Sequence, residues 1–317
     1  MRSRYNLPKG MRYSTLKERK EFYQNEFDVK KLKEWFKDWN ETGSVKFAVI
    51  IGRHTRIFPR KYAEDASTSI IIDEYNDFED VKAQILEFLP EATYYDRNVY
   101  KEKQKIVGQE LAFDLDPENL TCPIHGTLAD KMKRRQGLAF CEIELNMVKE
   151  EAIKLYEELE KQFSQMRVVY SGRGFHIHVF DKTPFAWSYQ KKQTLSKEIK
   201  NKGFLIDEWV TTGGMRFIRL PYSLHGMVSR RVLPINVNEL AEFDPVSDQR
   251  CIPKFLVSLS FVAVNLKPKL SISSFCALHG SCSVISMFVS CYSNGRSEIT
   301  ALILSESSGP KTIPTLT

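Results

Sequence analysis

The stretch Arg167–Phe180, RVVYSGRGFHIHVF, constrains the fold more than any other part of the sequence: two runs of β-branched and aromatic residues meet at Gly172-Arg173-Gly174. Such a pattern predicts strands over Arg167–Ser171 and Phe175–Phe180 joined by a tight hairpin with a cation at its tip. The glycines let the backbone approach a ligand closely and expose N–H groups, and the planar Arg173 fork suits phosphate oxygens. His176 and His178 share one face of the second strand, opposite the apolar row Phe175, Ile177 and Val179. That alternation favours a polar cleft face, although either histidine taken alone reads equally as a satisfied core residue.

Two further segments carry chemistry. Glu110–Asp116 reads as an apolar strand ending in Asp114-Leu115-Asp116 before Pro117 breaks it. Alternation places both aspartates on one side, where they suit a pair of hard divalent cations. The tripeptide by itself is also compatible with a solvated strand end. The third segment is Arg216-Phe217-Ile218-Arg219-Leu220-Pro221-Tyr222-Ser223-Leu224-His225-Gly226, preceded by Ile206-Asp207-Glu208 and Val210-Thr211-Thr212.

Together the Asp-x-Asp strand, the Ser-Gly-Arg-Gly hairpin and the Arg-Leu-Pro-x-Ser-Leu-His-Gly segment resemble the three active-site motifs of the archaeal and eukaryotic DNA primase small subunit, within the primase-polymerase superfamily. The resemblance spans about Tyr5 to Phe255. It implies an α+β catalytic core with mixed or antiparallel sheets forming a cleft flanked by helices. It also implies two Mg2+ or Mn2+ ions on Asp114, Asp116 and Asp207, with Asp207 on a neighbouring strand and Glu208 as a spare acid. Ser171, Gly172, Arg173 and His176 would bind the incoming nucleotide's phosphates, and Arg219 and His225 would close the same pocket.

The chain departs from the family pattern twice. A zinc loop usually follows the Asp-x-Asp strand; within 122–144 the ligands at hand are Cys122, His125 and Cys141, and Glu144 stands where a further cysteine would. Since a structural zinc takes four ligands, the loop either uses two thiolates, an imidazole and a carboxylate, or binds no zinc. The second departure is the short connection between His176 and Asp207, which lacks the large helical insertion of replicative subunits. This compact form resembles end-joining repair polymerases and stand-alone primase-polymerases.

Helices are predicted over Val29–Trp39, Asp80–Leu89, Asn146–Phe163 and Tyr189–Lys202, and a strand pair over Val45–Ile51 and Ser69–Ile72. The 1–255 stretch is thus one patterned domain. From 256 to 317 the chain turns serine-rich and poor in charge, reading either as a small appendage or as an extension foreign to the domain, and no chemistry is assigned to it. The net charge of +6 favours a polyanionic partner. The six cysteines form no evenly spaced framework, which points to a reducing compartment. Without a secretory signal or an apolar run of roughly 18–20 residues, a cytoplasmic protein with no membrane partner is expected.

Basic residues interleave with aromatics at Arg53, Arg56, Phe58, Arg60, Lys61 and Tyr62, and again at Tyr94, Tyr95, Arg97 and Tyr100. Either cluster could stack bases and hold phosphates, or be a solvated face. Lys131, Lys133, Arg134 and Arg135 could grip a 5'-phosphate or duplex backbone. The expected activity is templated nucleotidyl transfer on a DNA template and primer with NTP or dNTP. Gap filling alone or beside a ligase or end-binding repair partner is preferred over service as the catalytic subunit of a replicative primase with its large subunit. A catalytically silent nucleic-acid-binding subunit and a metal-dependent nuclease are the competing classes.

Overall fold

The computed structural model describes residues 7–40, 43–102, 104–211, 213–257, 286–293 and 296–303. The chain divides into two compact units, Met1–Leu256 and Val257–Thr317. In the second, Ser286–Ser293 pairs antiparallel with Arg296–Ile303. The expectations for 258–285 and 304–317 fall outside the described residues.

The first unit is α+β, built on two four-stranded antiparallel sheets. One runs in the order Ser69–Ile72, Phe47–Ile50, Ala92–Asp96, Phe217–Arg219. Helices Leu16–Asn25, Val29–Trp35 and Phe78–Phe88 accompany it, and their apolar residues Phe22, Leu32, Trp35, Val81 and Ile85 share a core with Phe47, Val49 and Tyr95. The other runs in the order Leu233–Ile235, Met166–Tyr170, Phe175–Val179, Leu111–Leu115. Here Leu145, Val148, Ala152, Leu155 and Leu159 of helix Glu142–Leu159 pack with Phe113, Leu115, Val168 and Ile177. No helix among the described residues is long and apolar enough to cross a membrane.

Helix ends differ from the periodicity where capping chemistry intervenes. Helix Glu142–Leu159 starts a turn before the expected Asn146, because the Glu144 carboxylate accepts the Cys141 N–H and acids occupy its first turn. Helix Phe78–Phe88 starts behind Asp77, whose carboxylate accepts the Glu79 and Asp80 N–H groups. The expected single helix Val29–Trp39 breaks at Phe36 into Val29–Trp35 and Lys37–Asn40. Between the strand Phe175–Val179 and Asp207 stand the helices Lys182–Phe185 and Tyr189–Asn201.

Candidate active site

The acids come together at the end of the edge strand Leu111–Leu115. Asp114 lies opposite His176 in the register, and Asp116 continues in extended conformation just past the strand. The Asp207 N–H donates to the Asp114 carbonyl at 2.9 Å, bringing the third acid alongside. Asp207 is not on a strand, as the family pattern implies. It precedes the helical turn Glu208–Thr211, and its carboxylate accepts the Trp209 N–H at 2.8 Å, capping that turn.

The electrostatics record the crowding. Burial, then the Asp114 charge, push the Asp116 carboxyl up to about 8. Burial likewise raises Asp207, with Asp114 and Glu118 adding to it and the Trp209 N–H opposing. Asp114 Oδ1 is buried 3.2 Å from His176 Nε2 yet completes no hydrogen bond.

The hairpin supplies donors to the same place. Gly172 has φ +108, and a Cβ on it would lie 2.5 Å from the His225 Cβ, so the turn sits directly against His225. Ser171 Oγ accepts the Gly174 N–H at 3.1 Å and shapes the turn, leaving its own O–H to donate. Arg173 is buried, and its Nη2 forms an ion pair with Glu118 Oε1 at 2.5 Å. Burial pulls its pKa down, and the charges of Glu118 and Asp116 overcome that and raise it.

From the other sheet, Arg219 Nη2 donates to Tyr94 Oη at 3.0 Å and its guanidinium lies 4.7 Å from that ring. His225 is buried and held well below the usual imidazole range by burial and by the charges of Arg219, Arg173 and His54. Arg173 Nε, His176 Nδ1, Arg219 Nη1 and His225 Nδ1 are all buried without a hydrogen-bond partner. Buried polar atoms are ordinarily paired, so this concentration of orphans marks a place shaped for a polar ligand.

Glu118 escaped the sequence reading. It follows Pro117 in the short helical turn after the aspartates, and proximity to that pair was its only signal. Other expectations are corrected. His178 does not face a cleft: it is fully buried, Nδ1 at 2.8 Å from Glu110 Oε1 and its ring edge-on to Trp35. The cluster at Tyr94, Tyr95, Arg97 and Tyr100 is no nucleic-acid surface, since all but Tyr94 are buried, with Tyr95 bonding Glu110 and Arg97 the Glu110 carbonyl. Lys131 leaves the basic run, because it is buried against Glu144 at 2.5 Å. Arg53, Arg56, Arg60 and Lys61 are exposed, as are Lys133, Arg134 and Arg135.

Cys122, His125, Cys141 and Glu144 offer ligand atoms all within 4.8 Å of one another. Cys122 Sγ lies 3.8 Å from Cys141 Sγ and 3.3 Å from His125 Nδ1. Those are close to the edges of a tetrahedron with metal–ligand bonds of roughly 2.0–2.3 Å. Glu144 is the weaker member: its carboxylate already takes Lys131 and the Cys141 N–H.

No family model matches the chain. A DNA primase small subunit-like protein of Archaeoglobus fulgidus is 46% identical over 271 residues, covering 80% of this chain and 95% of that protein. The chain belongs to the DNA primase small subunit family. The DNA primase small subunit PriS of Pyrococcus abyssi is 33% identical over 178 residues, 54% of this chain and 45% of its own length. That of Pyrobaculum calidifontis is 27% identical over 216 residues, 52% and 66% respectively. The match thus takes in about half to two thirds of these longer primase subunits. Among solved structures, the polymerase domain from Mycobacterium tuberculosis ligase D in complex with DNA aligns with a TM-score of 0.46 and 13% identity, over 75% of this chain and 88% of that one.

Proposed function

We propose that this primase-family chain is a template-directed nucleotidyltransferase: a primer 3'-hydroxyl, or an initiating nucleotide, attacks the α-phosphate of an incoming NTP or dNTP and pyrophosphate leaves. The observation that carries this reading is one place holding both halves of the required electrostatics. Asp114 bears on both Asp116 and Asp207, with Asp116 driven toward neutrality and the Asp207 N–H on the Asp114 carbonyl, and beside them stand buried polar atoms without hydrogen-bond partners. Carboxylates on which the Asp114 charge presses fit divalent cations, so these residues would hold two Mg2+ or Mn2+ ions. Such ions, when bound, offset charge on the attacking and leaving oxygens.

The chain's own donors do the rest. Arg173, His176, Arg219, His225 and the Ser171 hydroxyl would grip the triphosphate, while the Gly172 turn lets its backbone come close. Holding the polyphosphate in line with the attacking oxygen is most of what phosphoryl transfer asks of a protein. A nuclease would use the acids but leave this donor set idle, and a silent binding subunit would have no use for the acids.

At the Cys122 loop, Cys122, His125 and Cys141 would hold Zn2+, with Glu144 as fourth ligand in competition with Lys131. The compact connection before Asp207 supports gap filling, alone or beside a ligase or end-binding partner, over replicative priming with a large subunit. The test supplies Mn2+, labelled NTP or dNTP, and either unprimed single strands or a 5'-phosphorylated gap. Asp114→Ala should lower extension by ~10^3-fold or more, the scale of losing preorganised charge stabilisation; extension that survives it removes the mechanism. Preference for unprimed strands over the gap would reverse the assigned role.

A further inference from the structure

Two fully buried charged residues, Arg19 and Glu91, play no part in the chemistry above, and both are spent on one loop. Arg19 Nη1 donates to the carbonyls of Ile51, Ile57 and Leu89 at 2.9–3.1 Å, and its Nη2 donates to Thr55 Oγ1 at 3.0 Å. The Glu91 carboxylate accepts the His54 N–H at 3.0 Å, the Thr55 N–H at 2.8 Å and the Thr55 hydroxyl at 2.8 Å. The turn is tight: a Cβ on Gly52 would meet the Phe58 ring at 2.7 Å, and Arg56 takes φ +58, a conformation costly for a residue with a side chain.

The same Glu91 fixes the nucleotide side of the site. Its carbonyl accepts the Gly226 N–H at 2.7 Å, and a Cβ on Gly226 would lie 2.9 Å from the Glu91 Cα. Gly226 follows His225, which abuts Gly172. One residue therefore sets the loop carrying His54 and the turn carrying His225 against each other. The charge of Glu91, and against it those of Arg173, Arg53 and Arg219, bear on His54, and His54 in turn bears on His225. The His54 ring is half-buried and takes no hydrogen-bond partner among the described residues.

We propose that His54 is a further residue of the nucleotide site, its imidazole hydrogen-bonding the phosphates of the incoming triphosphate, with Arg19 and Glu91 as positioning residues for the loop. This rests on the nucleotidyltransferase reading. The occupant is a phosphate because Arg53, Arg173 and Arg219 all bear on the ring, while the opposing Glu91 carboxylate is already taken up by the His54 and Thr55 N–H groups and the Thr55 hydroxyl.

The test is binding without turnover: ATP and dATP displacing a fluorescent ATP analogue in Mn2+, alongside anisotropy on a labelled gapped duplex. His54→Ala should weaken triphosphate binding roughly 10- to 100-fold, as expected for one hydrogen bond to a charged group, and leave duplex binding unchanged. Glu91→Gln should weaken it too, but add nothing in the His54→Ala background, since it acts through His54; in steady state both variants should raise KM more than they lower kcat. Unchanged triphosphate affinity in His54→Ala, or a loss confined to the duplex, overturns the assignment while leaving the polymerase reading intact. Fully additive losses for Glu91→Gln and His54→Ala overturn the positioning role. If the unaltered protein binds neither ATP nor dATP, the nucleotidyltransferase reading itself has failed, and this one with it.

Discussion

Gly174 lacks a side chain where the Leu115 carbonyl fills the space: a Cβ there would lie 2.0 Å from that oxygen and 2.7 Å from Asp116 Oδ1. The hairpin glycines therefore do two different jobs. Gly172 supplies a left-handed backbone against His225, while Gly174 admits the strand end that carries the aspartates. Gly174→Ala should cost about 1–3 kcal/mol, the range for forcing extra volume into a packed site, and should reduce extension further than that loss of stability explains, because the displaced atoms belong to Leu115 and Asp116. Denaturation midpoints read beside extension rates on the same variant separate the two effects; a variant as stable and active as the parent would mean that the Leu115 carbonyl does not pack against Gly174. The hairpin was legible in the sequence because glycine has few reasons to flank a cation between two strands. Glu118 was not, because pairing with Arg173 depends on the turn after Pro117 folding back across the sheet, and no periodicity reports that.

At the scale of elements, strand alternation was a good guide to which residues share a face and a poor guide to what the face meets. His176 and His178 do lie on one side of their strand, yet one meets Asp114 and the other the buried Glu110–Tyr95 pair. Position along the strand decides: near the hairpin the face meets Asp114 on strand Leu111–Leu115, and two residues further on it stands opposite Ala112 and reaches the Glu110–Tyr95 pair. Lys131 makes the same point, for a lysine in a basic run ordinarily belongs to solvent. Here the helix Leu128–Lys133 turns it inward onto Glu144 and the Ala139 carbonyl. Breaking a buried pair leaves an uncompensated charge, so Lys131→Met should destabilise the metal-free protein by about 3–5 kcal/mol. Zn2+ bound through Glu144 would supply the missing charge and recover much of that loss. The Tm of Lys131→Met should therefore rise more on adding Zn2+ than that of the parent. Equal Zn2+ responses in the two proteins would take Glu144 out of the ligand set.

Over the whole of the first unit, two sheets with separate cores press ionisable groups into the space they share, and the stability of the fold answers to pH through that space. The longer helices and the hairpin strands followed from local pattern and the α+β class from the family resemblance, but the pairing of the two sheets did not follow from pattern, because strand Phe217–Arg219 joins a sheet whose other members come far earlier in the chain. The Asp116 carboxyl sits near 8 in the fold against an ordinary value of 3.8. A carboxyl raised on folding is favoured there while protonated. Its contribution is complete below the ordinary value and is lost as pH rises through about 8, a change on the order of several kcal/mol. Without divalent ions, Asp116→Asn should therefore match the parent near pH 4 and exceed it in stability at pH 9, since the amide keeps the volume and never ionises. On the proposed mechanism the variant would give up catalysis for that gain, the usual trade at a site strained for function. Mn2+ at pH 9 should stabilise the parent and leave Asp116→Asn nearly unmoved, because the ions would take up the charge that the fold alone tolerates poorly. Denaturant midpoints at the two pH values, in chelator and in Mn2+, decide it: parallel curves for parent and variant would show that Asp116 ionises as freely in the fold as in the unfolded chain.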